Sequence, residues 1–301
     1  MMGRLFGSSL RMSIVIGCFV LLAAGGIGTA RSAQSELNFA VIGDSGTGEA
    51  AQYAIARRMV AEREKTPFDF VIMLGDNIYG GGLPKYFKPR FEEPYKDLLG
   101  AGVKFYAALG NHDAPYAEVH SKYEHFNMGG KRYYSFNKGG DLVEFFVLDT
   151  NETKTSELGK EQLTWLETEL AASKAKWKVA YFHHAIYSSG KMHSPYARLR
   201  GQIEPLFVKY GVSVVFAGHF HVYERLKPQK GVQYFTAGSG GKLMRGNLDP
   251  KSTLREAGND QAQVFLMVSL NEDRMQVKAL SADGKVIDEA AIAPRKAAAA
   301  Q

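Results

Sequence analysis

Short apolar runs recur along this chain and alternate with stretches whose apolar residues have helical spacing. The runs are six or seven residues long and rich in Val, Ile and Phe, as buried strands require. They cover residues 37–42, 68–74, 103–109, 142–148, 177–182 and 212–217, and shorter ones follow at 133–136, 232–236, 264–268 and 275–279. Helical patterns cover residues 49–64, 84–99, 161–172 and 199–210. The alternation predicts an α/β fold.

Polar residues follow five of these runs at the point where each predicted strand ends. The residues are Asp44, Asp76 with Tyr79, Asn111 with His112, His183, and His219 with His221. A single example would be read as an ordinary turn, since Gly, Asp and Asn are turn residues. Because the carboxyl ends of strands line the ligand crevice of an open α/β sheet, five examples favour a shared site.

The chemistry of these side chains indicates a metal site. Oxygen and imidazole donors without sulfur suit Fe, Mn or Zn. Seven or eight donors are too many for one ion, so we expect a pair of ions about 3.5–4 Å apart. Asp76 can offer one oxygen to each ion and is interpreted as the bridge, with Tyr79 as a ligand to one ion. If residues 219–221 are extended, the side chains of His219 and His221 point the same way, so the two imidazoles can reach neighbouring metals.

The N-terminus has a different composition from the rest. Two arginines precede an apolar stretch over residues 12–27, and small residues follow as far as Ala33. This pattern is typical of a secretory signal peptide. We therefore predict a signal peptide over residues 1–33, a catalytic domain over residues 34–301, and a secreted or periplasmic protein. An uncleaved membrane anchor is the competing interpretation.

The composition is that of a soluble globular protein and argues against disulfides, thiolate ligands and nucleic-acid binding. The chain is 45% hydrophobic and 23% charged, which is ordinary for a soluble globular protein. Cys18 is the only cysteine and lies in the predicted leader, so we expect no disulfide and no thiolate ligand in the mature protein. The net charge of +6 is not concentrated in a basic block, which argues against nucleic-acid binding. We expect a monomer that contacts no membrane once the leader is removed.

Taken in order, five short motifs resemble those of the calcineurin-like metallophosphoesterases. They are Asp44-Ser45-Gly46, residues 75–79, residues 110–113, residues 179–183 and residues 218–224, within a resemblance that spans residues 38–241. The purple acid phosphatases, including the tartrate-resistant type, are the branch that the chain resembles most. Most of the superfamily has a histidine two residues after the first Asp, where this chain has Gly46. The purple phosphatases instead have a tyrosine three residues after the bridging Asp, as Tyr79 is here.

The resemblance implies a role for each residue. The first metal, Fe(III) bound by a phenolate, would be held by Asp44, Asp76, Tyr79 and His221. The second, which would be Fe(II), Zn or Mn, would be held by Asp76, Asn111, His183 and His219. His112 and His193 would contact the phosphoryl group and protonate the leaving group. We assign His183 rather than His184 as the ligand, although Ala185 stands where the family has a proline.

Fold and reaction are also implied by the resemblance. The implied fold is an α/β (α+β four-layer) arrangement, with a central β-sandwich of two mixed sheets flanked by helices. The implied function is hydrolysis of phosphomonoesters by in-line attack of metal-activated hydroxide. A phosphodiesterase or nucleotidase on the same metals remains an alternative, which the loops at 80–95, 114–131 and 186–200 would decide. A catalytically silent binding module with this fold is the non-enzyme alternative.

Overall fold

The computed structural model describes residue 3 and residues 36–81, 83–152, 157–193 and 196–297. Thirteen strands lie in this part of the chain: β1 Leu37–Ile42, β2 Phe70–Met73, β3 Lys104–Ala107, β4 Tyr134–Lys138, β5 Val143–Val147, β6 Trp177–His184, β7 Val214–Gly218, β8 Tyr223–Leu226, β9 Gln233–Ala237, β10 Arg255–Asn259, β11 Val264–Leu270, β12 Met275–Ser281 and β13 Val286–Ile292. The α-helices described are α1 Ala50–Lys65, α2 Lys96–Gly100, α3 Ala117–Lys122, α4 Lys160–Ala172 and α5 Ala197–Tyr210.

The strands form two mixed sheets. One has six strands in the order β13-β12-β11-β1-β2-β3, and the other has seven in the order β10-β8-β9-β7-β6-β5-β4. In the first sheet β1, β2 and β3 are parallel, and in the second β5, β6, β7 and β9 are parallel. The parallel strands of each sheet therefore end at a common edge. The predicted arrangement of two mixed sheets flanked by helices is confirmed.

Aromatic rings fill the space between the two sheets. Phe39 of β1 stacks on Phe70 of β2 with ring centroids 5.1 Å apart. Phe145 of the other sheet meets both rings edge-on, at 5.3 and 5.7 Å, and stacks on Phe136 at 4.9 Å. Phe39 and Phe145 are fully buried, and edge-to-face pairs add to the free energy of burial. This aromatic core fixes the two sheets against each other.

A second core lies between the seven-stranded sheet and helices α4 and α5. Ala180 and Phe182 of β6 belong to it, together with Leu166 of α4 and Ile203 of α5. Other apolar residues of β6, such as Tyr181, belong to the core between the sheets. Because successive side chains of a strand point to opposite faces, the apolar residues of β6 alternate between the two cores. At the end of the strand the pairing with β7 shifts register between Phe182 and His184, and the rings of His183 and His184 lie 5.0 Å apart.

Some elements differ from the sequence prediction. The predicted helix over residues 84–99 is three short pieces, a 3₁₀ turn Pro84–Tyr86, a π-helical turn Lys88–Glu92 and α2, since Pro89 and Pro94 interrupt a regular helix. Strands β8, β10 and β13 were not predicted. The sequences of β10 and β13 lack an apolar run, since both are edge strands with little burial.

The predicted leader, residues 1–33, lies outside the described residues apart from Gly3, so the signal-peptide interpretation stays a prediction. Every strand and helix given above belongs to one compact unit that covers residues 35–301. No helix in the described part of the chain has the length and apolar character needed to cross a bilayer.

Removal of the ring at the centre of the inter-sheet core tests its contribution to stability. We expect Phe145→Ala to lower the free energy of unfolding by about 3–5 kcal/mol, because a large buried ring is lost and a cavity remains. Val286→Ala is the control, since Val286 is 46% exposed. Urea unfolding followed by circular dichroism measures both variants, and equal midpoints would show that the sheets do not depend on this ring.

Candidate metal centre

The carboxyl ends of the parallel strands bring the predicted site residues together. β1 and β2 are paired up to Ile42 and Met73, so the turns that follow them run side by side. The Leu74 N–H donates to the Ile42 carbonyl at 2.8 Å, and the Asp44 N–H donates to the Gly75 carbonyl at 3.0 Å. These bonds extend the strand pairing into the turns that carry Asp44 and Asp76.

One set of donor atoms converges around Asp44. The Tyr79 hydroxyl donates to Asp44 Oδ1 at 3.3 Å and lies 3.2 Å from His221 Nε2. His221 Nε2 is 3.3 Å from Asp44 Oδ1, so the three atoms form a nearly equilateral triangle. Asp44, Asp76 and His221 also offer donor atoms that all lie within 4.8 Å of one another. The structure therefore brings together all four residues predicted for the first metal.

A second set converges around Asn111. Asn111 Oδ1 lies 3.0 Å from His183 Nε2 and 3.1 Å from His219 Nδ1, and the two nitrogens are 3.1 Å apart. Asp76 Oδ1 is 3.5 Å from His183 Nε2. All four residues predicted for the second metal are thus adjacent. Asp76 lies between the two sets, as the predicted bridging role requires.

In His183 and His219 the ring nitrogen that faces away from Asn111 has a hydrogen-bond partner, which fixes where the lone pair of the other nitrogen points. His183 Nδ1 lies 2.9 Å from the Leu74 carbonyl oxygen, which can only accept, so this nitrogen carries a proton. In the neutral ring Nε2 then presents its lone pair to the amide oxygen of Asn111. Two lone pairs that face each other at 3.0 Å repel unless a cation or proton lies between them. His219 Nε2 can likewise donate to the Tyr196 hydroxyl at 2.9 Å, which leaves Nδ1 free to bind a metal.

The electrostatics of the site favour positive charge. Asp44 and Asp76 are 0% and 1% exposed, and within the described residues their ion pairs are with His221 and His183, not with Lys or Arg. Burial lowers the pKa of His183, but the Asp76 and Asp44 carboxylates outweigh it and leave that pKa raised. Burial, and then the two carboxylates, raise the pKa of Tyr79 far above its usual value. Buried carboxylates without a permanent cationic partner fit a site for metal cations.

The backbone at the site is strained. Asp44, Asp76, His219 and His221 have φ angles of 53°, 52°, 73° and 51°. Such left-handed conformations are uncommon for residues other than glycine and cluster at functional sites. The assumption of extended chain at His219 and His221 was therefore wrong. The two imidazoles reach different donor sets because the chain turns sharply at both residues.

Packing explains the glycine that replaces the usual histidine two residues after Asp44. A Cβ atom on Gly46 would overlap the backbone carbonyl of Asn77. The Gly46 N–H donates to the Asp76 carbonyl at 3.3 Å, and the Gly46 carbonyl accepts from the Tyr79 N–H at 2.8 Å. No side chain fits at position 46 while these bonds hold. The same close approach brings Tyr79 to the first donor set.

Three further histidines lie around the donor sets. His112 is exposed, its N–H donates to Asp76 Oδ1 at 2.9 Å, and its ring lies 4.7 Å from the Tyr79 ring. His193 is half-buried with its ring 4.2 Å from that of His219, and burial, then His221 and His183, lower its pKa. His184 offers a nitrogen within 4.8 Å of those of His183 and His219, but its Nδ1 is 2.7 Å from the Thr150 hydroxyl. Burial, and then His183, hold the pKa of His184 well below its usual value.

Sequence reasoning gave no role to the residues that hold the site in place. The buried carboxylate of Asp113 accepts from the Asn77 side-chain amide at 2.9 Å and from backbone N–H groups of Asn77, Ile78 and Gly110 at 2.9–3.1 Å. Burial, with the charge of Asp76, raises the pKa of Asp113 to about 7 against the effect of those N–H donors. Asp113 thus ties the Asp76 turn to the Asn111 turn, and its position directly after Asn111-His112 was the available signal.

A second buried carboxylate supports the loop that carries His193. Glu224 accepts from the Ser188 hydroxyl, from the Ser189 N–H at 2.9 Å and from the Ser189 hydroxyl at 2.6 Å. Glu224 ends the motif that begins at Gly218, which again was a signal. Tyr196, which orients His219, lies in a stretch without periodicity, and no sequence pattern indicated it.

Comparison with known proteins identifies the family. The model of the calcineurin-like phosphoesterase family matches residues 37–223. Purple acid phosphatase 17 of Arabidopsis thaliana is 31% identical over 241 residues, which cover 71% of each chain. This relative confirms the resemblance to the purple acid phosphatases.

Solved structures show the same fold at lower sequence identity. Purple acid phosphatase PPD1 from yellow lupin (Lupinus luteus) seeds superposes with a TM-score of 0.69 at 20% identity, over 86% of this chain and 54% of that one. A Plasmodium protein described as GAP50, the anchor in the inner membrane complex, superposes with a TM-score of 0.76, also at 20% identity, over 87% and 90%. With the family model matching more than half of its length, the chain belongs to the calcineurin-like phosphoesterase family.

Proposed function

We propose that this protein is a phosphatase that uses two metal ions to hydrolyse phosphate monoesters. The observation that carries the proposal is the pair of donor sets with Asp76 between them. Apart from Asp76, the donor atoms of each set lie 3.0–3.3 Å from one another. Donor atoms that surround one cation at usual bond lengths of about 2.0–2.3 Å have mutual separations in this range. Asp76 Oδ1 lies 3.5 Å from His183 Nε2, and Asp76 also offers an oxygen within 4.8 Å of donor atoms of Asp44 and His221.

The two sets differ in the cation they suit. Asp44, Tyr79, His221 and one oxygen of Asp76 would hold the first, and a phenolate favours Fe(III). Asp76, Asn111, His183 and His219 would hold the second, with Fe(II), Zn or Mn as candidates. When bound, such ions would polarise the phosphoryl oxygens and lower the pKa of a coordinated water.

The chain's own residues supply orientation and proton transfer. His112 is held at the Asp76 carboxylate by its backbone, so its exposed ring is free to reach a substrate. We assign it as the donor of a hydrogen bond, and finally of a proton, to the leaving-group oxygen. The His193 ring lies 4.2 Å from that of His219, beside the second donor set, and would contact the phosphoryl group.

Two other functions are compatible with the fold. A phosphodiesterase or nucleotidase could use the same donors, and a turnover assay with a phosphomonoester and a bis-ester, at known metal content, separates the classes. The second alternative is a non-catalytic binding module. The same fold occurs in a protein described as an anchor, and a fold does not determine a function. The presence of every donor and of His112 favours the enzyme. We further propose that the protein is exported and acts as a monomer on small phosphate esters.

The bridging role of Asp76 can be tested by removal of its charge. We expect Asp76→Asn to lose at least one metal ion and to lower kcat by about 10²–10³-fold or more, because no other carboxylate of the described residues lies between the two sets. The measurements are metal content by mass spectrometry and turnover of an aryl phosphate. Asp69→Asn is the matched control, since the Asp69 side chain is 95% exposed one residue before β2. Two bound metals and normal turnover in Asp76→Asn would exclude the bridge.

The assignment of His112 as the acid predicts a dependence on the leaving group. We expect His112→Asn to keep both metals and to slow alkyl phosphates by about 10²–10⁴-fold, but activated aryl phosphates much less, since a good leaving group departs without a proton. The exposed His125 provides the control variant His125→Asn. Equal losses on both substrate types would leave His112 with a positioning role only.

Ligation by Tyr79 predicts a spectroscopic signature. Protein loaded with Fe(III) should show a broad visible charge-transfer band, and Tyr79→Phe should remove the band while the fold persists. Tyr116→Phe is the control, a half-buried tyrosine in the loop after Asp113. A stoichiometric ferric site without the band, or a band that survives Tyr79→Phe, would rule out tyrosinate ligation.

A further inference from the structure

Lys242 lies beside the metal centre without belonging to either donor set. Its backbone N–H donates to the carbonyl of Asp44 at 3.0 Å. Its ammonium nitrogen lies over the face of the Tyr79 ring, 5.1 Å from the ring centroid. The family motifs described above do not include this lysine.

The turn that carries Lys242 is fixed to the ligand-bearing turns on both sides. The Gly240 N–H donates to the Gly43 carbonyl at 3.0 Å, and the Met244 N–H donates to the His221 carbonyl at 3.0 Å. A Cβ atom on Gly241 would lie 2.5 Å from the Ser45 carbonyl oxygen, so the backbones are in direct contact. Lys242 therefore has a defined position relative to Asp44 and His221 instead of belonging to a free surface loop.

Within the described part of the chain, the ammonium group of Lys242 is not paired with a carboxylate. Among the described residues no Asp or Glu oxygen lies within 4.0 Å of its ammonium group. The side chain is half-buried, so part of its hydration is already lost. A half-buried ammonium over an aromatic face gains some cation–π stabilisation, and its hydrogen-bond donors remain free for an anion.

His112 and Lys242 both contact the Tyr79 ring. Under the proposed function, His112 reaches the oxygen of the leaving group, so a leaving group that extends along the Tyr79 ring comes near Lys242. The ammonium lies over the Tyr79 ring, whereas the hydroxyl of that ring belongs to the first donor set. It is therefore better placed for a group a few bonds beyond the phosphorus than for the reacting phosphoryl oxygens.

We propose that Lys242 binds a second anionic group, carried by the leaving group of the substrate. The protein would then prefer phosphate esters whose leaving group bears a carboxylate or another phosphate over neutral esters of the same shape. This inference depends on the proposed phosphatase activity for its kinetic consequence, but the binding preference can be measured without turnover.

The kinetic test uses two esters that differ only in charge, 3-carboxyphenyl phosphate and 3-carbamoylphenyl phosphate. We expect Lys242→Met, which keeps the apolar stem, to lower the ratio of their kcat/KM values about tenfold, mainly through KM. Lys242→Gln serves as a second neutral variant in case Lys242→Met does not fold. Lys242→Arg should preserve the ratio. Arg245→Met, an exposed cation three residues further on, is the matched control and should also preserve it.

The binding test uses inorganic phosphate and methylenediphosphonate, with metal-loaded protein in a calorimeter. We expect the neutral variants to weaken the diphosphonate about tenfold relative to phosphate. Equal weakening of both ligands would place Lys242 at the reacting phosphoryl group, and no weakening would leave it with the Tyr79 ring alone; either result overturns the proposal. A wild-type protein that hydrolyses neither ester would refute the phosphatase, and the diphosphonate preference would still decide the role of Lys242.

Discussion

Two buried carboxylates without a permanent cationic partner set the constraint on which this site depends. Asp44 and Asp76 lie at the ends of neighbouring parallel strands, out of contact with water, and the nearest positive charges among the described residues are protonatable imidazoles. An unpaired charge in such a place is strongly unfavourable, and removal of its partner is costly. The protein therefore needs cations at this edge, and the imidazoles and amide are arranged as their remaining ligands.

Local strain at the site is held in place by contacts elsewhere. Four donor residues have left-handed backbone, each of which costs about 1–3 kcal/mol and persists only where the surroundings determine it. Asp113 supplies part of that support, since one carboxylate accepts from the turns of both Asp76 and Asn111. The glycine contacts supply another part, because any side chain at Gly46 would push the Asp44 and Asp76 turns apart. These are direct contacts between turns, so the donor atoms cannot move independently.

Much of the donor set could be predicted because parallel strands converge at one edge, a property of topology and not of detailed packing. The geometry also favours His183 over His184, since His183 Nε2 faces Asn111 Oδ1 at 3.0 Å whereas His184 Nδ1 is 2.7 Å from the Thr150 hydroxyl. The reasoning about His219 and His221 failed because periodicity does not reveal a left-handed turn that tertiary contacts impose. Tyr196 could not be foreseen either, and the motif that marks Glu224 does not reveal that its partners are Ser188 and Ser189, because a loop without periodicity carries no record of its distant partners.

The donors divide by sheet, and this division links the chemistry to the fold. Every oxygen donor, from Asp44, Asp76, Tyr79 and Asn111, follows a strand of the six-stranded sheet. The imidazoles come from the seven-stranded sheet, since His183 lies in β6 and the other two lie between β7 and β8. Each donor set combines members of both, so neither sheet alone could bind a metal as the pair does. The separation of the sheets is fixed by rings such as Phe39, Phe70 and Phe145. A cation held at this edge would therefore stabilise the packing of the two sheets. By linkage, the free energy of that stabilisation equals the free energy of metal binding that is lost when the two sheets separate.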